Sequence, residues 1–286
     1  MPAVADACAL LLPTLRCPMC RSHMLASFDA VTCGRCRHRW SRPREGYLDL
    51  RVPTWNPGAR RWQERQDETC RYYESLKTRP EEAVEGFRSD LQSFAPVLAK
   101  YRGSVLDIGG GHGIARAFMS SGIDYVSVDP SIEWLTDDWD GLLDDFPCLA
   151  TPLPFVQAYA EGLPFGDASF DGAICLWTLN HCADPALALR EIGRVVRTGG
   201  RFLLVVEDGE PTWSELASGN GEHYLLRSRM HVMAAKVAKP VRGWPTQRDH
   251  VAIGNRALDQ WTTGGFSLRR RWWVGCYLAL EYERRP

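Results

Sequence analysis

Four cysteines stand as two Cys-x-x-Cys pairs, Cys17-Pro-Met-Cys20 and Cys33-Gly-Arg-Cys36, with twelve residues between the pairs. Each pair can offer two thiolates from one tight turn, and two such turns complete a tetrahedral sulfur shell suited to Zn2+. Gly34 supplies the backbone freedom that the second turn needs. Two alternatives are open: His23 or His38 in place of one cysteine, or a pair of redox dithiols. Neither accounts for the doublet as well. A closed four-sulfur shell keeps no open coordination position, so it implies folding or recognition work and not catalysis. The remaining six of the ten cysteines are scattered, which suits a metal site in a reducing compartment better than a bridged secreted scaffold.

The second chemical signal is "VLDIGGGHGIA", residues 105–115, an apolar run closed by an acid and opening into glycines. A dinucleotide-binding loop needs its third glycine, or an alanine, where the helix packs closest to the strand. Counting from Gly109 places Ile114 there, and counting from Gly111 places Arg116. Both fail. Asp107 instead completes Asp-x-Gly-x-Gly-x-Gly over residues 107–113, the pattern of S-adenosylmethionine (SAM) loops, whose backbone lies against an amino-acid moiety and not a phosphate. Twenty residues after Gly109, "YVSVDP" carries Asp129 to the end of a second strand. A carboxylate there can accept from both hydroxyls of a ribose.

The elements that must position these residues follow from hydrophobic patterning. After Gly103 short apolar runs alternate with helical lengths: "SVLDIG", "IARAFMSSG", "YVSVDP", "FVQAYA", "FDGAICLWTL", "PALALREIGRVVR" and "GRFLLVVED". That rhythm predicts an α/β fold with a parallel sheet wrapped by crossovers. "NRALDQWTTGGF" reads as a helix, and "SLRRRWWVGCYLALEYERR" as two strands around a turn near Gly275. Three regions result: a zinc-ribbon domain over residues 1–51, a helical linker or cofactor lid over 52–103, and a catalytic domain over 104–286 with an insert at about 211–250.

Charge is unevenly spread. Residues 104–226 carry five Lys/Arg against nineteen Asp/Glu, and residues 227–286 carry twelve against four. Basic ends around an acidic middle allow an anionic partner, but intramolecular attraction explains the same asymmetry. No apolar stretch reaches the roughly 18 residues of a membrane helix, and the start "ACALLLPTL" lacks a basic region ahead of it. A cytoplasmic protein without a membrane partner is expected.

Residues 103–208 resemble class I SAM-dependent methyltransferases of the broad ubiquinone/menaquinone-methyltransferase-like group. The resemblance rests on "VLDIGGGHG", "VSVDPS", "AEGLPFGDASFDGAICLWTLNH" and "LREIGRVVRTGGRFLLVV". It implies a Rossmann-like seven-stranded sheet, SAM as cofactor, and a substrate pocket over the strand C-termini. It further implies cofactor contacts from Asp107, Gly109, Gly111, Asp129 and Leu176, with adenine near Tyr159, Ala160 and Glu161. Many relatives have an acid where this sequence has Tyr159, so backbone groups around Ala160 or the Tyr hydroxyl can take over adenine recognition; a strand-end aromatic packed on a helix is the alternative role of Tyr159. The resemblance puts Asn180-His181 beside the transferred methyl group.

Methyl transfer from a sulfonium is an in-line displacement governed by alignment in a dry pocket. A general base is needed only when the acceptor is an alcohol, phenol or protonated amine, and His181 is the candidate; packing or cofactor shaping is its alternative role. Glu207 and Asp208, ending the fifth strand, can also face the pocket, and His223, His231 and His250 lie around the insert. Trp213, Trp244, Trp261, Trp272 and Trp273 suggest an aromatic-lined acceptor site, and Tyr72-Tyr73 a closure over the cofactor by analogy.

The ribbon-plus-methyltransferase order also resembles the 23S ribosomal RNA guanine-N1 methyltransferases, with "EGYLDL" (45–50) as an echo. In that reading the basic ribbon grips phosphates while Trp40 stacks on a base. The motifs beyond residue 160 are closer to small-molecule enzymes. A small or medium-sized organic acceptor is therefore the first expectation, RNA the second, and an inactive SAM-binding protein the third. Oligomeric state is not legible.

Overall fold

The computed structural model describes residues 4–5, 10–27, 29–41, 47–52, 71, 75–76, 78–132, 142–151, 153–219, 223, 225–247 and 250–286. Seven strands form the expected sheet: β6 (Ser104–Ile108), β7 (Asp124–Asp129), β8 (Leu153–Gln157), β9 (Phe170–Leu176), β10 (Val196–Val206), β11 (Phe266–Val274) and β12 (Tyr277–Arg284). Their spatial order is β8-β7-β6-β9-β10-β12-β11. The first five run parallel, and β12 enters antiparallel between β10 and β11. Val105, Leu106, Asp107 and Ile108 are all buried, as a central strand covered on both faces requires.

Two short strands, β1 (Val4–Ala5) and β5 (Leu48–Asp49), extend the sheet to nine by pairing in parallel with β8. Three more, β2 (Met24–Ala26), β3 (Ala30–Cys33) and β4 (Arg39–Ser41), form the antiparallel ribbon sheet. The ribbon docks on the catalytic sheet through main chain and one ion pair. Arg16 N–H donates to the Pro164 carbonyl at 2.9 Å and Gly166 N–H to that of Thr14 at 2.8 Å. Arg21 reaches Glu191 at 2.6 Å. Leu15, Cys17, Val31 and Trp40 belong to the same apolar core as Leu106, Val156 and Phe165.

The described helices are α1 (Pro80–Gln92), α2 (Ala95–Leu98), α3 (Pro185–Val195), α4 (Trp213–Ser218), α5 (Arg229–Arg242) and α6 (Asn255–Thr262). The insert at 211–250 thus holds α4 and α5. The Asp184 carboxylate caps α3 by accepting from Leu187 N–H at 2.9 Å, with Pro185 in the first turn. Thr212 and Glu215 form a capping box at α4. The helix expected at "IARAF" is a 3-10 turn, Ile114–Phe118, entered through left-handed Gly113 at φ 74°. Most of the 52–77 stretch, with Tyr72-Tyr73, lies outside the described residues.

Candidate active site

The chain runs outward from β6 through β7 to β8, then returns to β9 on the other side of β6. A crevice opens beyond the strand C-termini at such a reversal. A cavity of about 250 Å3 lies there, lined by the loop after β6 (Gly109–His112), the end of β7 (Asp129), the turn after β8 (Tyr159–Glu161), the loop after β9 (Trp177–Ala183) and Glu207 after β10. Asp107, Gly109, Gly111, Asp129, Tyr159, Ala160, Glu161, Leu176, His181 and Glu207 therefore share one cavity.

Gly109 has φ +71°, and a Cβ added to it would lie 2.0 Å from Thr178 Oγ1. Its Cβ-free backbone lets the β6 and β9 loops touch. At Gly110 a Cβ would meet the Asp107 carboxylate at 2.6 Å. Asp107 accepts from the Tyr125 hydroxyl beneath the loop. Burial pushes its carboxyl up to about 7; the Tyr125 hydrogen bond pulls it partly back and the nearby Asp129 charge adds to the rise. Asp129 tethers the loop by accepting from Gly111 N–H at 3.3 Å and Ser131 N–H at 2.9 Å. Glu161 Oε1 accepts from Ala183 N–H at 2.8 Å and Asp184 N–H at 3.1 Å, so this carboxylate fixes the loop ahead of α3. Burial raises the Tyr159 hydroxyl, and Arg51 opposes the rise.

The opposite wall is polar. Glu207 Oε2 lies 3.5 Å from His181 Nε2 and 3.1 Å from His250 Nε2. His250 Nδ1 is 2.8 Å from Asp208 Oδ2. His223 Nε2, buried, sits 3.6 Å from Asp208 Oδ1. Burial penalises the Glu207 carboxylate, but hydrogen bonds from His181 and His250 and their charge bring it down to about 2. Burial likewise penalises the charged His250 ring, and the two carboxylates outweigh it and raise it to about 9. His112 is pushed down to about 3 by burial, with Arg116 adding to the fall. Its ring meets Phe87 edge-on at 5.3 Å.

Asn180 stitches this wall together. Its side chain donates to the Glu207 carbonyl at 2.9 Å and accepts from Glu207 N–H at 3.0 Å, while its own carbonyl accepts from Val251 N–H at 2.7 Å. Asp208 holds a left-handed backbone, φ 50°, a conformation costly for a side-chain-bearing residue. It accepts from Gln247 N–H through its carboxylate and from Trp244 Nε1 through its carbonyl, both at 2.7 Å. Sequence reasoning left His250 unranked and missed the bridging by Asn180. On α1, within the segment expected as a helical linker or cofactor lid, Phe87, Asp90 and Leu91 were not singled out, yet they line the cavity at the i, i+3, i+4 spacing of one helical face.

Two expectations are corrected. The tryptophans of the insert and of β11 do not line the cavity, whose described aromatic residues are Phe87, Tyr159 and Trp177. Trp213 is exposed beside Lys236, and Trp244 is buried against His223. Trp40 is 6% exposed within the shared core and offers no stacking platform. His231 is exposed on α5, paired with Ser228. The four ribbon cysteines do converge: Cys17 and Cys36 Sγ lie 3.7 Å apart, Cys20 and Cys33 3.4 Å. Zn–S bonds of about 2.3 Å in a tetrahedron give sulfur separations near 3.8 Å, so this set fits zinc.

Residues 106–204 match the family described as a methyltransferase domain. A demethylmenaquinone methyltransferase of Paenarthrobacter aurescens is 31% identical over 198 residues, covering 64% of this chain and 70% of the relative. This chain belongs to the class I SAM-dependent methyltransferases. The ubiquinone/menaquinone biosynthesis C-methyltransferase UbiE of Hahella chejuensis is 42% identical to this methyltransferase over 114 residues, 38% of this chain and 44% of the relative. The methyltransferase thus spans less than half of that relative's length. The YcgJ protein of Bacillus subtilis aligns with a TM-score of 0.46 at 17% identity, covering 69% of this chain and 98% of that one. The cofactor of this methyltransferase is SAM, and its glycine loop backed by the buried Asp107 and Asp129 fits a ligand bearing an ammonium group and a ribose. No helix among the described residues is long and apolar enough to cross a membrane.

Proposed function

We propose that this methyltransferase moves the SAM methyl group to a small or medium-sized organic acceptor inside the strand-end cavity. The observation that carries this reading is that the loop Asp107–Gly111 and Asp129 share one recessed cavity with the polar pair His181 and Glu207. Phe87, Leu91, Leu176 and Trp177 line the same space, which suits a planar apolar ring, and the quinone acceptors in the relatives' names are of that kind.

In this reading Asp129 accepts from the ribose hydroxyls, and the backbone at Gly109 and Gly111 lies against the amino-acid moiety. Ala160 and the Tyr159 hydroxyl meet adenine, Leu176 packs on the cofactor, and Glu161 acts through the Ala183–Asp184 backbone that it holds. SAM supplies an electrophilic methyl carbon. The protein supplies alignment and exclusion of water, with His181 and Glu207 orienting a polar group of the acceptor on the methyl side. Cys17, Cys20, Cys33 and Cys36 hold a structural zinc that keeps the ribbon folded against residues 163–166.

The test is incubation of the full chain with methyl-labelled SAM and either a small-molecule extract or total RNA. Label in the organic-soluble fraction, with turnover insensitive to salt, is the expected result. Label confined to an RNase-sensitive fraction would overturn the reading in favour of RNA, whose binding is steeply salt-dependent. SAM binding without turnover on either would support the inactive alternative.

A further inference from the structure

We infer that His181, Glu207 and His250 bind one divalent transition-metal ion, separate from the ribbon zinc, with an open coordination position facing the cavity. The three ligand atoms lie within 4.8 Å of one another. The measured separations, 3.5 Å from Glu207 Oε2 to His181 Nε2 and 3.1 Å to His250 Nε2, bracket the roughly 3.4 Å edge of a tetrahedron built on metal–ligand bonds near 2.1 Å. Two imidazoles and one carboxylate suit zinc, manganese, iron or cobalt. As three protein ligands they leave a position for an exchangeable group.

The surroundings are those of a held site. His250 Nδ1 faces the buried Asp208 carboxylate at 2.8 Å, an arrangement that fixes the ring with Nε2 turned toward Glu207, as partners of metal-bound histidines do. Asn180 locks Glu207 at both its N–H and its carbonyl and ties in Val251, the neighbour of His250. The three ligand-bearing segments therefore keep one mutual geometry. His181 and Glu207 side chains are 25% and 21% exposed while that of His250 is 2% exposed, so the accessible side of the triad is the cavity side. The exchangeable ligand is an oxygen donor such as a phenolate, enolate or carboxylate. Assigning that donor to the methyl acceptor rests on the proposed function, whereas metal binding does not.

The experiment is titration of the metal-free full chain with Co2+, followed by visible absorption. Cobalt in the four-cysteine site carries thiolate-to-metal charge-transfer bands, and cobalt on nitrogen and oxygen ligands lacks them, so the two sites are read separately in the unmodified protein. The expected result is a nitrogen/oxygen-type signal that Glu207→Gln and His181→Ala/His250→Ala abolish, and that Asp208→Asn weakens by about 10- to 100-fold in affinity. A titration showing thiolate-type cobalt alone, or a nitrogen/oxygen-type signal unchanged in both ligand variants, would overturn the inference. The readout requires neither SAM nor turnover. A failed metal titration leaves the methyl-transfer reading standing, and failed transfer with a positive titration removes only the acceptor assignment.

Discussion

At the scale of single residues, Asp107 and Asp129, two of the buried acids of the cavity, carry distinct burdens. Asp129 ends β7 with both oxygens already accepting backbone N–H groups, and each oxygen retains capacity for a ribose hydroxyl. Hydrogen bonds to a charged group contribute about 1.5–3 kcal/mol each, so losing two of them in Asp129→Ala should weaken SAM binding by more than about a hundredfold. Unchanged affinity by calorimetry would refute the ribose assignment. Asp107 differs, because burial raises it from 3.8 to about 7 in the folded chain. The folded state therefore holds this proton more tightly than the unfolded state does. Its contribution to stability is complete below about pH 4 and is lost as pH rises through 7. In urea unfolding of the SAM-free protein, wild type should lose stability relative to Asp107→Asn between pH 5 and pH 8. A pH-independent difference would contradict this.

At the scale of elements, sequence pattern made the sheet legible because its strands are continuous apolar runs, and made the cofactor loop legible because its glycines and acids have a fixed spacing. The polar wall was legible only in part. His181 and Glu207 sit at strand ends, where pattern points to them, but His250 reaches them from 43 residues beyond Glu207 through an irregular segment. That meeting depends on Asn180 and Asp208 hydrogen bonds that no periodicity encodes. Trp40 shows the reverse error: a basic, cysteine-rich stretch suggested an exposed ring, whereas the ribbon's own core is too small to stand alone and is completed by Trp40 packed against the catalytic sheet. The ribbon's fate should accordingly be coupled to that of the sheet. Cys33→Ser is expected to lower the zinc content by one ion per chain and to lower Tm in a single transition, by about 2–4 °C for each kcal/mol lost in a domain of this size. Lost zinc with an unchanged Tm would show that the ribbon is energetically independent.

At the scale of the whole molecule, the acidic middle and basic C-terminal region meet each other. Glu210 receives Lys236 at 2.7 Å and also Lys239, and Glu215 receives Arg271 at 2.7 Å. These pairs tie the insert to Glu210 after β10 and to β11, and they account for part of the charge asymmetry without requiring an anionic partner. The loops after β6, β7, β8, β9 and β10, with α1, frame one cavity, in which SAM and the acceptor are proposed to meet. The most direct measurement is a crystal structure of the full chain with S-adenosylhomocysteine, the demethylated product. The expected result has its ribose against Asp129, its amino-acid end against Gly109 and Gly111, and its sulfur facing His181 and Glu207. Product bound outside this cavity, or with its sulfur turned away from that pair, would contradict it.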